Sequence, residues 1–260
     1  MTILRHEMKQ GRNSLIIWTA AISFLMIICV LMYPQMKGEM EDVGAMFSAM
    51  GSFTQAFGMD KLNIGTLIGF YGIEGGNILG LGGAFFAALC AVSMLAKEEK
   101  EHTAEFLLTH PVSRGRVVTE KFCAVILQII LLNLFVLAAA VVSVVLIGEE
   151  IPWKEILLLH SAYLLLQTEI AGICFGISAF LRRGSLGIGL GLAAVLYFLN
   201  LIANIAEAAE FLKYITPFGY AEASDIIACG RLEGKFVFVG ILLFAVGIAL
   251  AYARYLKKDI

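Results

Sequence analysis

One carboxylate, Glu169, lies deep within a long apolar stretch of this 260-residue chain, where an ionised side chain is costly and frequently has a function. Ala162, Gly172 and Gly176 fall on the same face of a helix, so Glu169 is expected to point toward other helices or a water-filled cavity. Two chemical roles are open. Glu169 takes part in the passage of an ion, a proton or a substrate, or it is a protonated or hydrogen-bonded side chain that fixes helix packing.

Asn200 and Asn204 form a second polar feature within an apolar stretch. They are four residues apart and share a helix face with Tyr197. Amide side chains in such a position either line a pathway or join neighbouring helices by hydrogen bonds. The sequence leaves both uses open.

Known catalytic and nucleotide-binding patterns are incomplete in this chain. His6 and Glu7 begin like the helix of a zinc protease, but Gln10 takes the place of the second histidine ligand. The segment from Gly230 to Phe236 is close to a phosphate-binding loop, but its glycines are one residue too near each other and Phe236 replaces the magnesium-binding hydroxyl. We therefore predict no catalytic residue, no metal site and no cofactor in this chain.

Composition places these residues in a membrane protein. Hydrophobic residues make up 60% of the chain and charged residues 15%, and the mean hydropathy is +0.86. A helix needs roughly 20 apolar residues to cross a hydrocarbon core about 30 Å thick. The formal net charge of −2 disfavours nucleic-acid binding. We predict an all-α protein with one membrane domain, residues 1–260, and six transmembrane helices at residues 14–33, 75–96, 122–147, 156–180, 184–205 and 236–256.

Basic residues predict the orientation of these helices. Most lysines and arginines lie near the two termini, in residues 97–121, and at Arg182 and Arg183. The positive-inside rule then places both termini in the cytoplasm. Residues 34–74 and 206–235 are expected on the opposite side.

Two boundaries are less sharply marked. Residues 1–13 form either a short interfacial helix, which bends at Gly11 and Asn13 into the first span, or a basic tail that only sets the orientation. Glycine-rich apolar residues before Gly75 also allow the second span to begin earlier than that residue.

Glycines recur every fourth residue on several predicted helices, which creates smooth faces where another helix can approach closely. We interpret these faces as packing surfaces rather than ligand sites. The glycines concerned are Gly72, Gly76, Gly80, Gly172 and Gly176, with Gly187 and Gly191 as a further pair.

The segment of residues 97–121 carries equal numbers of basic and acidic side chains between two apolar stretches. A loop that only sets orientation needs lysine and arginine without matching acids, because acids contribute little to orientation. The segment is therefore expected to meet a protein surface. Pro111 is predicted to end a short helix, and Ser113 to cap a second helix that continues through Lys121 into the third span.

This segment resembles the inner loop of the membrane permease subunits of ABC-2 type transporters. The shared pattern is an acidic run followed by Thr, Glu, two leucines, Pro, Val, Ser and Arg, with His102 in place of the usual glycine. A second similarity is the sequence Pro217 to Tyr220, which is like a Pro-Phe-x-Tyr element of such permeases. The loop residues that carry the resemblance, and that it assigns to an ATPase interface, are Glu98, Glu99, Glu101, Thr103, Glu105, Leu107, Leu108, Pro111, Ser113 and Arg114.

The resemblance covers essentially the whole chain and implies a function. It implies that the 97–121 loop is a cytoplasmic coupling helix, docked on a separate ABC ATPase present in two copies, which holds ATP and Mg. It also implies a second permease subunit, identical or different, and a multi-pass protein of the bacterial plasma membrane that acts in export. Members of such a family carry drugs, antimicrobial peptides, ions, lipids or glycans.

A different class of function stays open beside this one. An ion- or proton-coupled secondary transporter or channel would use Glu169 as its intramembrane site and would need no ATPase.

Overall fold

The computed structural model describes residues 2–37, 51–59, 61–100, 112–181 and 185–257. Within these ranges every regular element is a helix and no strand occurs, which confirms the all-α prediction. The helices are α1 (Thr2–Lys37), α2 (Ser52–Ala56), α3 (Leu67–Val92), α4 (Lys97–Lys100), α5 (Arg114–Leu146), α6 (Trp153–Ser178), α7 (Leu186–Ile205), the 3₁₀-helices Glu207–Tyr214 and Pro217–Tyr220, α8 (Ala223–Cys229) and α9 (Gly234–Leu256).

Six helices in these ranges, α1, α3, α5, α6, α7 and α9, are long and apolar enough to cross a bilayer, as predicted. Helices suit this environment because each satisfies its own backbone hydrogen bonds where water is absent. Phe24, Phe135 and Phe238 remain 62%, 62% and 69% exposed, as expected of side chains that face lipid.

The N-terminal segment is helical but does not bend. Helix α1 runs unbroken through Gly11 and Asn13, so it contains no separate interfacial helix. Gly11 has a different use from the one expected: a Cβ atom there would collide with the Gln128 side chain of α5. The glycine therefore lets α1 pack closely along α5.

The second span begins at Leu67, eight residues before the predicted start. Thr66 caps its first turn, since the hydroxyl oxygen accepts a hydrogen bond from the Gly69 N–H at 3.2 Å. Residues Gly76–Leu81 within α3 form a π-helical turn. Such turns are rare and frequently occur at functional sites.

The helix that contains the third span is capped at Ser113, as predicted, and so begins eight residues before the predicted span. Helix α5 starts at Arg114, and the Ser113 hydroxyl oxygen accepts a hydrogen bond from the Arg116 N–H at 3.4 Å. This cap satisfies one of the N–H groups that the first turn leaves free.

Helix α6 occupies the centre of the bundle. It packs against α3, α5 and α9, and its buried side chains include Leu159, Tyr163, Leu166 and Phe175. Phe175 also packs against Phe122 of α5 with ring centroids 5.1 Å apart.

Both described chain ends lie at the same end of the bundle, because both contact the start of α5. The Glu120 Oε2 accepts hydrogen bonds from the Ile3 and Leu4 N–H groups at 3.0 and 3.2 Å. Arg114 donates to the Leu256 carbonyl at 3.3 Å. We call this the terminal end. The opposite end is covered by residues 206–233, which we call the cap.

Candidate functional site

The cap is fastened to the bundle by three polar side chains. The Thr216 hydroxyl donates to the Leu196 carbonyl of α7 at 2.8 Å. The Tyr220 hydroxyl donates to Glu169 Oε2 of α6, also at 2.8 Å. The third side chain, Glu222, binds α7. Because the partners lie on two spans, the cap holds α6 and α7 together at this end.

Glu222 is held by the two asparagines that the sequence marked. Asn200 Nδ2 donates to Glu222 Oε2 at 3.1 Å, and Asn204 Nδ2 donates to the same oxygen at 3.0 Å. Asn204 Nδ2 also lies 3.1 Å from the Ala56 carbonyl of α2. Asn200 and Asn204 thus join α7 to the cap, and Asn204 also joins it to α2.

A cavity of about 50 Å³ lies beside Glu222, and we call it the inner cavity. Gly76, Asn77 and Gly80 of the π-helical region of α3 line one side of it, and Tyr163 and Asn200 line others. The absence of side chains at the two glycines keeps space open, since Tyr163 comes within 3.5 to 3.6 Å of where their Cβ atoms would lie.

The polar groups of the inner cavity are linked to one another. Tyr197 donates to Asn77 Oδ1 at 3.0 Å, which ties α7 to α3. The Tyr163 hydroxyl is 3.5 Å from the Gly72 carbonyl. Asn200 is 4% exposed, and its Oδ1 has no hydrogen-bond partner within the part of the chain that the structure describes.

A second cavity of about 120 Å³ lies on the other side of Glu222, and we call it the outer cavity. Lys61, Lys213 and Ser224 are among the residues that line it. Asp225 pairs with both lysines, at 3.1 Å from Lys61 Nζ and 3.8 Å from Lys213 Nζ.

Burial raises the pKa of the Glu222 carboxyl above its ordinary value, because a charge is poorly solvated between the two cavities. The hydrogen bonds from Asn204 and Asn200 lower the pKa and offset part of this rise. Asp225 raises the pKa a little further, and Lys213 lowers it. The net effect is a Glu222 carboxyl that holds its proton to a higher pH than an ordinary glutamate does.

Glu169 is set apart from this arrangement. It is 3% exposed and lines neither the inner nor the outer cavity. Its carboxylate accepts the Tyr220 hydrogen bond and packs against Gly240 of α9, where a Cβ atom would collide with Glu169 Oε2. These contacts favour the packing role over the transport role.

The predicted glycine faces make different contacts. Gly172 and Gly176 of α6 pack against α9, where a Cβ on Gly176 would lie 2.6 Å from the Gly247 carbonyl oxygen. A Cβ on Gly72 would lie 2.8 Å from Ile227 of α8. Gly191, which was expected to pack as well, has no described neighbour within 4 Å of a Cβ.

Buried ion pairs connect three segments at the terminal end. Lys121 of α5 is fully buried, and its Nζ lies 3.2 Å from Glu7 Oε1 and 2.7 Å from the Met94 carbonyl. It also contacts Glu98 of α4. Glu7 Oε2 in turn lies 2.9 Å from Lys97 Nζ. We call Glu7, Lys97, Glu98 and Lys121 the ion network.

The ion network borders the segment predicted to meet an ATPase. Glu98 and Glu99 lie in α4, and Ser113 and Arg114 lie at the start of α5. The other predicted interface residues lie outside the described residues, and they are Glu101, Thr103, Glu105, Leu107, Leu108 and Pro111.

Sequence reasoning did not single out Glu7, Lys121 or Glu222. Glu222 is one of several acids in a polar connection, and nothing local distinguishes it. Lys121 gave a weak signal, since it stands directly before the apolar stretch of the third span. Within the described ranges, no group of three or more His, Cys, Asp or Glu residues is placed to hold a metal ion.

Comparison with known proteins identifies a family. The family model described as "ABC-2 family transporter protein" matches residues 1–260, the whole chain. The comparison with curated proteins found no match.

Proposed function

The chain belongs to the ABC-2 family of transporter proteins, and on this basis we propose that it is a permease subunit driven by a separate ABC ATPase. Its membership and its six apolar helices make it a multi-pass membrane transporter permease. In the proposed complex, the 97–121 loop is a coupling helix that docks on the ATPase. Two ATPase copies hold ATP and Mg, and a second permease, identical or different, completes the pathway. The proposed complex exports its substrate across a bacterial plasma membrane, and the terminal end of the permease lies in the cytoplasm.

The observation that carries this proposal is the ion network. Lys97 and Glu98 stand at the start of the proposed coupling segment, and they are bound to Glu7 of α1 and Lys121 of α5. A buried charge that loses its partner is costly, so these contacts favour joint movement of the three segments. A push on residues 101–111 would then reach the first and third spans together.

The cap supplies the other half of the proposed cycle. Thr216, Tyr220 and Glu222 close the bundle at the end opposite to the ion network. Alternating access requires that this end open when the terminal end closes. Opening this end would require the release of these three contacts.

Association with the ATPase is the first test. A tag on this chain should co-purify an ATPase from native membranes, identified by mass spectrometry and by ATP hydrolysis. Leu107→Asp and Glu105→Arg should each abolish that association, because they place a charge or the opposite charge on the proposed docking surface. Glu233→Arg, a charge reversal at the opposite end of the bundle, is the matched control and should retain it. Association retained by both loop variants would contradict the coupling role.

Ion-coupled secondary transport through Glu169 is less well supported. That function requires a carboxyl that ions or protons can reach, whereas Glu169 is buried between Tyr220 and Gly240.

A further inference from the structure

The inner cavity has the composition of a cation site. Glu222 is the single charged residue among the described residues that line it, and four aromatic residues line it as well, Phe57, Tyr163, Tyr197 and Phe218. Aromatic faces attract cations through their quadrupoles. A carboxylate together with aromatic rings is the combination that recognises an ammonium group.

The hydrogen-bonding groups of the inner cavity favour a ligand that donates. The Tyr197 hydroxyl donates to Asn77 Oδ1, and Asn200 Nδ2 donates one hydrogen bond to Glu222 Oε2. Asn200 Oδ1 is a buried acceptor without a partner among the described residues. Because this acceptor is left over beside the Glu222 carboxylate, an ion or molecule that carries N–H groups suits the cavity, and an anion does not.

The charged groups described around Glu222 carry no net positive charge that would balance its carboxylate. The described charged groups nearest to it are Lys61, ahead of α3, Glu210 and Lys213 of the first 3₁₀-helix, and Asp225 of α8. Two positive and two negative charges cancel, and Lys61 and Lys213 are both paired with Asp225. A half-buried carboxylate in this position is stabilised by a proton or by a cation.

We propose that the inner cavity binds a small monovalent cation of the ammonium type, ammonium or methylammonium, with Glu222 as its counter-ion and Asn77 and Asn200 as hydrogen-bond acceptors. The cavity volume of about 50 Å³ exceeds the 10–15 Å³ needed for one water-sized particle, so such an ion fits and a bulky quaternary ion does not. The π-helical turn exposes glycine backbone to the same space. This site is independent of any ATPase.

The test uses the purified full-length chain in micelles, without a partner. Ammonium chloride is titrated against choline chloride at constant ionic strength, and the melting temperature is followed. We expect a saturable rise with ammonium and none with choline, and a loss of affinity of at least tenfold in Glu222→Gln. Glu210→Gln, an acid at the outer cavity, is the matched control and should stay within twofold of the original chain.

Two further measurements test the ammonium site without Glu222→Gln, in case that variant does not fold. Asn77→Ala removes one acceptor and leaves the charge, so ammonium affinity should fall severalfold. In the unaltered chain, affinity should also fall as the pH is lowered, because protons compete with ammonium for the Glu222 carboxylate. An equal response to choline, a pH-independent affinity, or unchanged affinity in Asn77→Ala would each overturn the assignment.

Discussion

Glu7 of α1 and Lys121 of α5 form a buried ion pair, with 3.2 Å between Glu7 Oε1 and Lys121 Nζ. The two side chains are 3% and 0% exposed, so neither charge can be solvated if the other is removed. Replacing one partner of a buried pair costs roughly 3–5 kcal/mol when the remaining charge has no other partner. Here Glu7 would keep Lys97, so a cost at the lower end is expected when Lys121 is replaced.

Lys121→Met is therefore expected to lower the free energy of unfolding by about 3 kcal/mol. The measurement is denaturant unfolding in mixed micelles. The double variant Glu7→Gln with Lys121→Met should recover part of the loss, because it removes both charges. Arg5→Gln replaces an exposed cation on α1, the helix of Glu7, and should change stability little. A Lys121→Met variant as stable as the Arg5 control would contradict a structural role for the ion network.

Stability should depend on pH through Glu222. Its pKa is raised above the ordinary 4.5, so the folded state binds more protons than the unfolded state as the pH rises from 4.5 through the raised value. Stability therefore falls across that interval, by about 1.4 kcal/mol for each pH unit of the shift. Melting temperatures in choline chloride buffers measure this.

Glu222→Gln should flatten that pH profile, because the amide does not titrate. Glu233→Gln, an exposed carboxylate in the same cap, should leave the profile as it is. If the Glu222 variant followed the original curve, the pH dependence would have to be assigned to another group.

Gly176→Ala should weaken the contact between α6 and α9. The new Cβ would lie 2.6 Å from the Gly247 carbonyl oxygen and 3.0 Å from its Cα, and backbone atoms cannot rotate away. Overpacking of this kind costs about 1–3 kcal/mol, measurable as a lower free energy of unfolding. Gly191→Ala is the matched control, since nothing described lies within 4 Å of its Cβ and alanine favours the helix. Equal stability of the two variants would count against this close contact.

Tyr220→Phe should loosen the cap. It deletes the donor to Glu169 and leaves a buried carboxyl without this bond, at a cost of about 1–3 kcal/mol. Tyr214→Phe, at a tyrosine that is 46% exposed, is the control and should cost less. Limited proteolysis within residues 206–233 measures the opening. Identical cleavage rates in the two variants would show that Tyr220 does not fasten the cap.

Glu169→Gln separates the two roles considered for that residue. The amide oxygen still accepts the Tyr220 hydrogen bond, so a packing role predicts a folded protein with ATP-driven transport close to that of the original chain. Flux assays in liposomes that contain the ATPase measure this. Loss of transport in a folded Glu169→Gln protein would instead support a role for Glu169 in the pathway.

The features that sequence predicted are those with a local signal. A span needs only its own apolar residues, and the Ser113 cap needs only the three residues that follow it. Asn200 and Asn204 could be predicted to act together because they are four residues apart on one helix.

The features that sequence missed depend on partners far along the chain. Glu222 becomes significant because a different segment presents Asn200 and Asn204 to it. Glu7 stood in an incomplete zinc motif, and only the folded bundle brings Lys97 and Lys121 to it. The prediction of a bend at Gly11 was wrong for the same reason, because that glycine makes room for Gln128 of another helix.

The contacts at the start of α1 can form only late in the synthesis of the chain. Ile3 and Leu4 donate to Glu120, which lies 117 and 116 residues later in the chain. The ribosome makes the N-terminal end first, so α1 is synthesised before Glu120 and Lys121, its partners on α5, exist. Until the third span has been made, the Glu7 carboxylate and these two amides lack the partners that they have in the folded chain.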